Sequence, residues 1–145
     1  MPDEDMPRVQ TGEPLNWTRI TRYAILMFLI HFSIGLAEGM FVSAASDKEA
    51  LIRQTAIGLV IMASVDFLIF AQLACRQRER RLQHAALVFL LMSGIAQAFS
   101  VVIGLWLPST QPALLTVLYV AASLLGALLG TLAGYVASAR RASES

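Results

Sequence analysis

The sequence has few of the residues that catalysis and metal binding require. Its 145 residues include one cysteine, Cys75, and two histidines. An internal disulfide is therefore excluded, and no clustered Cys or His spacing indicates a zinc or iron–sulfur site. There is also no nucleophile motif, no phosphate-binding glycine loop and no H-E-x-x-H run. These absences predict a protein that is not an enzyme and has no catalytic residues, metal or cofactor.

Charge is also scarce. Charged residues make up 14% of the chain and hydrophobic residues 57%, and the formal net charge is +1. A mean hydropathy of +0.64 is too high for an ordinary soluble domain. The near-neutral balance predicts no nucleic-acid partner. The apolar excess instead predicts a protein whose main surroundings are membrane lipid.

Four apolar segments are each close to the ~20 residues that cross a hydrocarbon core of about 30 Å as a helix. They cover residues 22–46, 53–75, 85–107 and 112–139. A charged turn at 47–49, a basic loop at 76–81 and a proline-flanked turn at 108–112 connect them. The fold class predicted is all-α, an integral membrane four-helix bundle. Residues 19–141 would form this transmembrane domain.

The two ends of the chain are polar. Residues 1–18 contain Pro2, Pro7 and Pro14 and are mostly acidic where charged, which predicts a disordered cytoplasmic tail. Residues 142–145 would form a second, short cytoplasmic tail. A small-residue pattern at Val42-Ser43-Ala44 leaves a cleaved export signal as an alternative. Against it, the apolar run exceeds the 7–15 residues of a signal sequence and follows an acidic segment.

The basic residues predict the orientation, because Lys and Arg near helix ends are retained in the cytoplasm. Of 11 basic residues, only Lys48 and Arg53 fall on one side of the predicted bundle. The other nine fall on the opposite side: Arg8, Arg19, Arg22, Arg76, Arg78, Arg80, Arg81, Arg140 and Arg141. Both termini are therefore predicted to be cytoplasmic, in a multi-pass protein of the inner (plasma) membrane.

Three ionisable side chains fall inside the predicted spans: His31, Glu38 and Asp66. Each costs on the order of 2.5–3.5 kcal/mol to insert, so each is a candidate functional residue. His31 and Glu38 share a helix face. Counted from the basic ends, His31 and Asp66 both lie about 14 Å deep, so they could touch across the first hairpin. Glu38 and Gln97 lie at a common greater depth and could form a second polar layer.

The role of this polar set has three explanations. The side chains could only join helices, since interhelical hydrogen bonds contribute roughly 0.6–2 kcal/mol each. They could instead form a proton or cation path, or contact a polar group of a partner or cofactor. The sequence leaves all three open.

The fourth segment carries a different pattern. Gly126, Gly130 and Gly134 repeat every four residues and would form a groove of small side chains, as in a glycine zipper. Such a groove lets another helix approach closely. The second helix could belong to the same chain, to another copy of the chain or to a different membrane protein.

A helix 1 glutamate in Leu36-Ala37-Glu38-Gly39, together with a glycine-rich helix 4, resembles the small multidrug-resistance transporters. The resemblance implies that Glu38 exchanges protons for cationic drugs and that helix 4 forms a dimer. The acidic N-terminal tail, Asp66 and the basic loop differ from that family's pattern, and its helix 3 signature is missing.

Two functions are therefore predicted. The first is a small non-enzymatic accessory or assembly subunit that acts through helix association, with a homo-oligomer or membrane-complex partner bound through helix 4. The alternative is a small proton- or cation-coupled transporter that uses Glu38, Asp66 and His31.

Overall fold

A computed structural model describes residues 15–43, 47–77, 80–106 and 113–143. These residues form four helices, α1 (Trp17–Ser43), α2 (Lys48–Arg76), α3 (Arg81–Gly104) and α4 (Ala113–Ser143), and contain no strand. All four are long and apolar enough to cross a membrane. The protein is thus all-helical, with four long apolar helices that could span a membrane, which confirms that part of the predicted fold.

The helix ends differ from the predicted ones because capping side chains, and not the limits of the apolar runs, decide where a helix begins. Helix α1 begins at Trp17, where the Asn16 side-chain oxygen accepts a hydrogen bond of 3.0 Å from the Arg19 backbone N–H. Asp47 caps α2 in the same way, accepting from Ala50 N–H at 2.6 Å. The prediction of a separate charged turn at 47–49 was therefore wrong, since that segment supplies a cap and a first turn.

The basic loop is also shorter than predicted. Helix α2 runs to Arg76 and α3 begins at Arg81, directly after Arg80 in the left-handed conformation (φ 51°). Residues 17 and 18, assigned to the N-terminal tail, belong to α1. The rest of that tail at 1–14, and the turn at 108–112, lie outside the described residues.

The helices alternate in direction. Arg19 bonds to Gln77 and His31 to Asp66, so α1 and α2 are antiparallel. Gly126 of α4 lies against Ala63 of α2, and Gly134 lies against Ala71. Residue numbers therefore increase in the same direction along both helices, so α2 and α4 are parallel. Helix α3, which lies between α2 and α4 in the chain, must therefore run along the bundle in the opposite direction. The start of α1 and the end of α4 consequently lie at the same end of the molecule.

Helices α2 and α4 form the tightest pair. A Cβ added to Gly130 would overlap the Phe67 carbonyl oxygen, and one added to Gly126 would overlap that of Ala63. Backbones this close gain dispersion contacts along the whole groove. The α4 glycine groove is thus filled by α2 of the same chain.

The buried apolar side chains cluster near the arginine-rich end of the bundle. They come from the first half of α1 and α3, the second half of α2 and the middle of α4, and include Ile20, Met27, Phe70, Val88 and Ala127. Large apolar side chains elsewhere are mostly exposed, as Leu36, Met40, Leu68 and Leu90 illustrate. This distribution suits a bundle whose outer surface contacts lipid.

Candidate polar site within the bundle

The centre of the site is Asp66, whose side chain is fully buried. His31 Nε2 lies 2.7 Å from one carboxylate oxygen of Asp66. The Ser123 hydroxyl donates a hydrogen bond to the other oxygen. Both oxygens of the carboxylate therefore have a partner, one from α1 and one from α4. The contact between His31 and Asp66 that equal depths allow is present in the structure.

The glycines of α4 position Ser123. Because α2 and α4 touch at Gly126, where an added Cβ would lie 3.1 Å from Asp66 Cβ, the preceding turn of α4 faces the Asp66 carboxylate. Ser123 lies on the same face as Gly126 and Gly130 and is itself buried. The small-residue groove thus brings a hydroxyl within reach of a buried carboxylate.

A cavity of about 120 Å³ lies beside this pair and is lined by all four helices. Its polar lining includes His31, Ser93, Gln97, Tyr119 and Ser123. A buried water needs only about 10–15 Å³ of such space and a few polar partners, so the cavity has room for several waters. His31 Nδ1 makes no hydrogen bond within the described part of the chain, and the imidazole is thus bonded to Asp66 on one side only.

Glu38 makes a second polar contact, farther from the arginine-rich end of the bundle. The Tyr119 hydroxyl donates a hydrogen bond to its carboxylate. Gly58 of α2 leaves space for that carboxylate, since a Cβ there would lie 2.6 Å from Glu38 Oε1. The predicted layer of Glu38 with Gln97 is not formed, because Tyr119 takes that place. Gln97 is exposed on α3 and contributes to the cavity wall instead.

An apolar groove of about 350 Å³ lies on the other side of Glu38, between α1 and α2. Gln54 also lines it, and the Oε1 atom of Gln54 is buried without a hydrogen-bond donor among the described residues. Tyr119 lines the central cavity and Glu38 lines this groove. The hydrogen bond between Tyr119 and Glu38 therefore joins the two spaces.

Sequence reasoning missed Ser123, Tyr119, Gly58 and Gln54. Ser123 precedes the glycine repeat by three residues, which is a signal that could have been used. Tyr119 lies one turn further toward the start of α4, on the same face. Gly58 has no sequence signal, because its role depends on where Glu38 points across the α1–α2 contact.

The arrangement can bind and pass protons. Asp66 and His31 share one proton position, either as imidazole N–H donating to a carboxylate or as carboxyl O–H donating to the ring nitrogen. Glu38 can bind a second proton beside Tyr119, whose hydroxyl donates a hydrogen bond to the Glu38 carboxylate and keeps its own proton. Within the described ranges, no group of three or more His, Cys, Asp or Glu side chains could together hold a metal ion.

Comparison with protein families, with curated proteins and with solved structures finds no match to this chain. The resemblance to small multidrug-resistance transporters consequently rests on the glutamate of α1 and the glycines of α4 alone.

Proposed function

We propose that the chain is a small multi-pass protein of the inner membrane that carries protons or cations through its polar interior, with both termini in the cytoplasm. The proposal rests on one observation: Asp66 is fully buried and is hydrogen-bonded to His31 and Ser123 beside a polar cavity. Asp66 and His31 bind the proton or cation, and Glu38 with Tyr119 extends the path toward the opposite end.

The charges at the bundle ends support the proposed orientation. Seven basic residues in or beside the four helices lie at the end where α1 begins and α4 ends: Arg19, Arg22, Arg76, Arg80, Arg81, Arg140 and Arg141. Lys48 and Arg53 lie near the start of α2, at the opposite end. Such asymmetry is typical of a cytoplasmic surface.

A comparison of energies favours a functional carboxylate over simple helix attachment. Inserting an aspartate at the centre of a span costs on the order of 2.5–3.5 kcal/mol, and its two interhelical hydrogen bonds, at roughly 0.6–2 kcal/mol each, do little more than offset that cost. Asparagine could bond to both His31 and Ser123 and would bring no charge into the bundle. A group that can ionise is therefore better explained by proton or cation exchange.

The test is proton movement in proteoliposomes with a pH-sensitive dye trapped inside. After an imposed pH step, the parent should equilibrate faster than empty vesicles, and Asp66→Asn should lose at least tenfold of that protein-dependent rate. The matched control is Glu49→Gln, which removes an exposed carboxylate in the first turn of α2 and should equilibrate like the parent. Equal rates for the parent and Asp66→Asn would refute the assignment.

A second candidate, the accessory or assembly subunit, is favoured by small-residue faces that remain open. Gly35 and Gly39 on α1, and Gly94 and Gly104 on α3, have no heavy atom within 4 Å of an added Cβ. Gln97 presents its amide on the α3 face. The partner would then bind α1 or α3 rather than the filled groove of α4.

Disulfide crosslinking tests this second candidate. In a Cys75→Ser background, a cysteine introduced at Gly94 should crosslink in native membranes if α3 meets another copy. Leu68, an exposed position on α2, is the control site for random collision. Equal crosslinking at both sites would contradict self-association through α3.

A further inference from the structure

We propose that a pocket between the start of α1 and the end of α2 binds the phosphate of an anionic lipid headgroup. The proposal rests on membrane insertion but not on proton exchange. The pocket has a volume of about 590 Å³, and its lining includes Arg19, Arg22 and Arg76. No carboxylate from the described residues lines it.

Two of these arginines are not neutralised within the described protein. Arg22 and Arg76 are exposed and make no hydrogen bond or ion pair with any described residue. Arg81, at the same end, contrasts with them because it donates to the Gln77 carbonyl and to the Ser138 hydroxyl and lies over the Tyr135 ring. Arg81 is therefore bound by the bundle, whereas Arg22 and Arg76 retain free donors.

Arg19 is held in position by a neighbouring loop residue. Its Nη1 donates a 2.8 Å hydrogen bond to Gln77 Oε1, and the Gln77 amide nitrogen lies 3.1 Å from His84 Nε2. This chain of contacts ties α1 to the start of α3. It leaves Arg19 half-buried at the pocket wall with other guanidinium N–H groups available.

Guanidinium groups converging from two helices match the geometry of a phosphate, which each can bind with two parallel hydrogen bonds. A lipid is favoured over a soluble phosphate because Tyr23 and Leu26 continue the lining toward the apolar part of α1. Exposed Ile25 and Leu29 follow on the same helix. An acyl chain could therefore lie along α1 while its headgroup occupies the pocket. Basic pockets between helices at the cytoplasmic surface commonly bind such headgroups.

Native mass spectrometry of the full chain in mild detergent tests the proposal by counting bound lipid during titration. Phosphatidylglycerol should bind the parent more tightly than phosphatidylcholine does. Replacing Arg22 and Arg76 with Gln should weaken phosphatidylglycerol binding about fivefold for each arginine. The control with the same charge change, Arg80→Gln with Arg141→Gln, removes two arginines outside the pocket and should bind like the parent.

If the Gln double variant does not fold, Arg22→Lys with Arg76→Lys keeps both charges but loses the paired donors, and it should still bind more weakly than the parent. Equal loss in the two Gln double variants would overturn a specific pocket. Displacement of phosphatidylglycerol by an equal concentration of inorganic phosphate would overturn the assignment to a lipid.

Discussion

The contacts of the ionisable residues inside the bundle depend on how deep each residue lies along its helix and on how each helix is rotated about its axis. His31 and Asp66 lie at equal distance from the basic ends of α1 and α2, and they bond at 2.7 Å. Equal depth does not bring Glu38 and Gln97 together, because the neighbour that a side chain meets also depends on how its helix is rotated about its axis. The rotation of α4 is set by its contact with α2 and brings Tyr119 to Glu38.

Substitutions at Asp66 separate the contribution of its hydrogen bonds to stability from the role of its charge. Asp66→Asn keeps hydrogen-bonding atoms for His31 and Ser123, so its thermal midpoint in detergent should stay near that of the parent. Asp66→Leu leaves the buried Ser123 hydroxyl without its acceptor, and we expect it to lose about 1–3 kcal/mol of stability. If Asp66→Leu melts at or above the Asn variant, these hydrogen bonds do not stabilise the bundle.

Gly58 is expected to matter through the space it leaves for Glu38. In Gly58→Ala the new methyl group would lie 2.6 Å from Glu38 Oε1, which must move away and weaken its bond from Tyr119. Gly94→Ala is the control, because nothing lies within 4 Å of its added Cβ. Both variants gain about 0.8–1.0 kcal/mol of helix propensity, so Gly58→Ala should show the lower thermal midpoint of the two. Equal midpoints would contradict this role of Gly58.

At the scale of helices, hydropathy predicted the number of elements correctly but not their ends. An apolar run ends where charged residues begin, whereas a helix extends through charged residues as far as a cap or a turn. Helices α2 and α3 accordingly begin at the charged residues Lys48 and Arg81. The glycine repeat predicted a close helix contact on α4, but its partner could not be deduced. That choice depends on α2 and α4 being parallel neighbours, a property of the whole bundle.

Gly130→Ile tests whether the α4 groove is filled within the chain. The branched side chain would overlap the Phe67 backbone and force α2 and α4 apart, at a cost of about 1–3 kcal/mol or more. We expect a lower thermal midpoint with unchanged elution from a size-exclusion column. Gly35→Ile, where the added Cβ meets open space, should keep both properties. A smaller species with unchanged stability would instead place a second chain in the groove.

At the scale of the whole molecule, the parallel pair of α2 and α4 constrains the topology. Two parallel helices that are separated in the chain by one long helix require that helix to run the full length of the bundle in the opposite direction. Together with the antiparallel α1, this makes four passes along the bundle and places the start of α1 and the end of α4 at the same end of it. Seven of the arginines in or beside the four helices lie at that same end, and only Lys48 and Arg53 lie at the other, so the charge distribution agrees with the packing.

We therefore expect reporter fusions after residue 20, within residues 76–81 and after Ser145 all to report cytoplasm. Fusions at Asp47 and within residues 108–112 should report the opposite side, because Lys48 and Arg53 are too few to hold that end in the cytoplasm. The Ser145 fusion shows whether the number of crossings is even, and the fusions between the helices show which helices cross. A cytoplasmic report at residue 20 with an external report at Ser145 would mean that an odd number of helices cross. If the fusions at Asp47, within residues 76–81 and within residues 108–112 still report as expected, the helix that does not cross is α4, and the proton path proposed between Asp66 and Glu38 would lack the wall that Ser123 and Tyr119 supply.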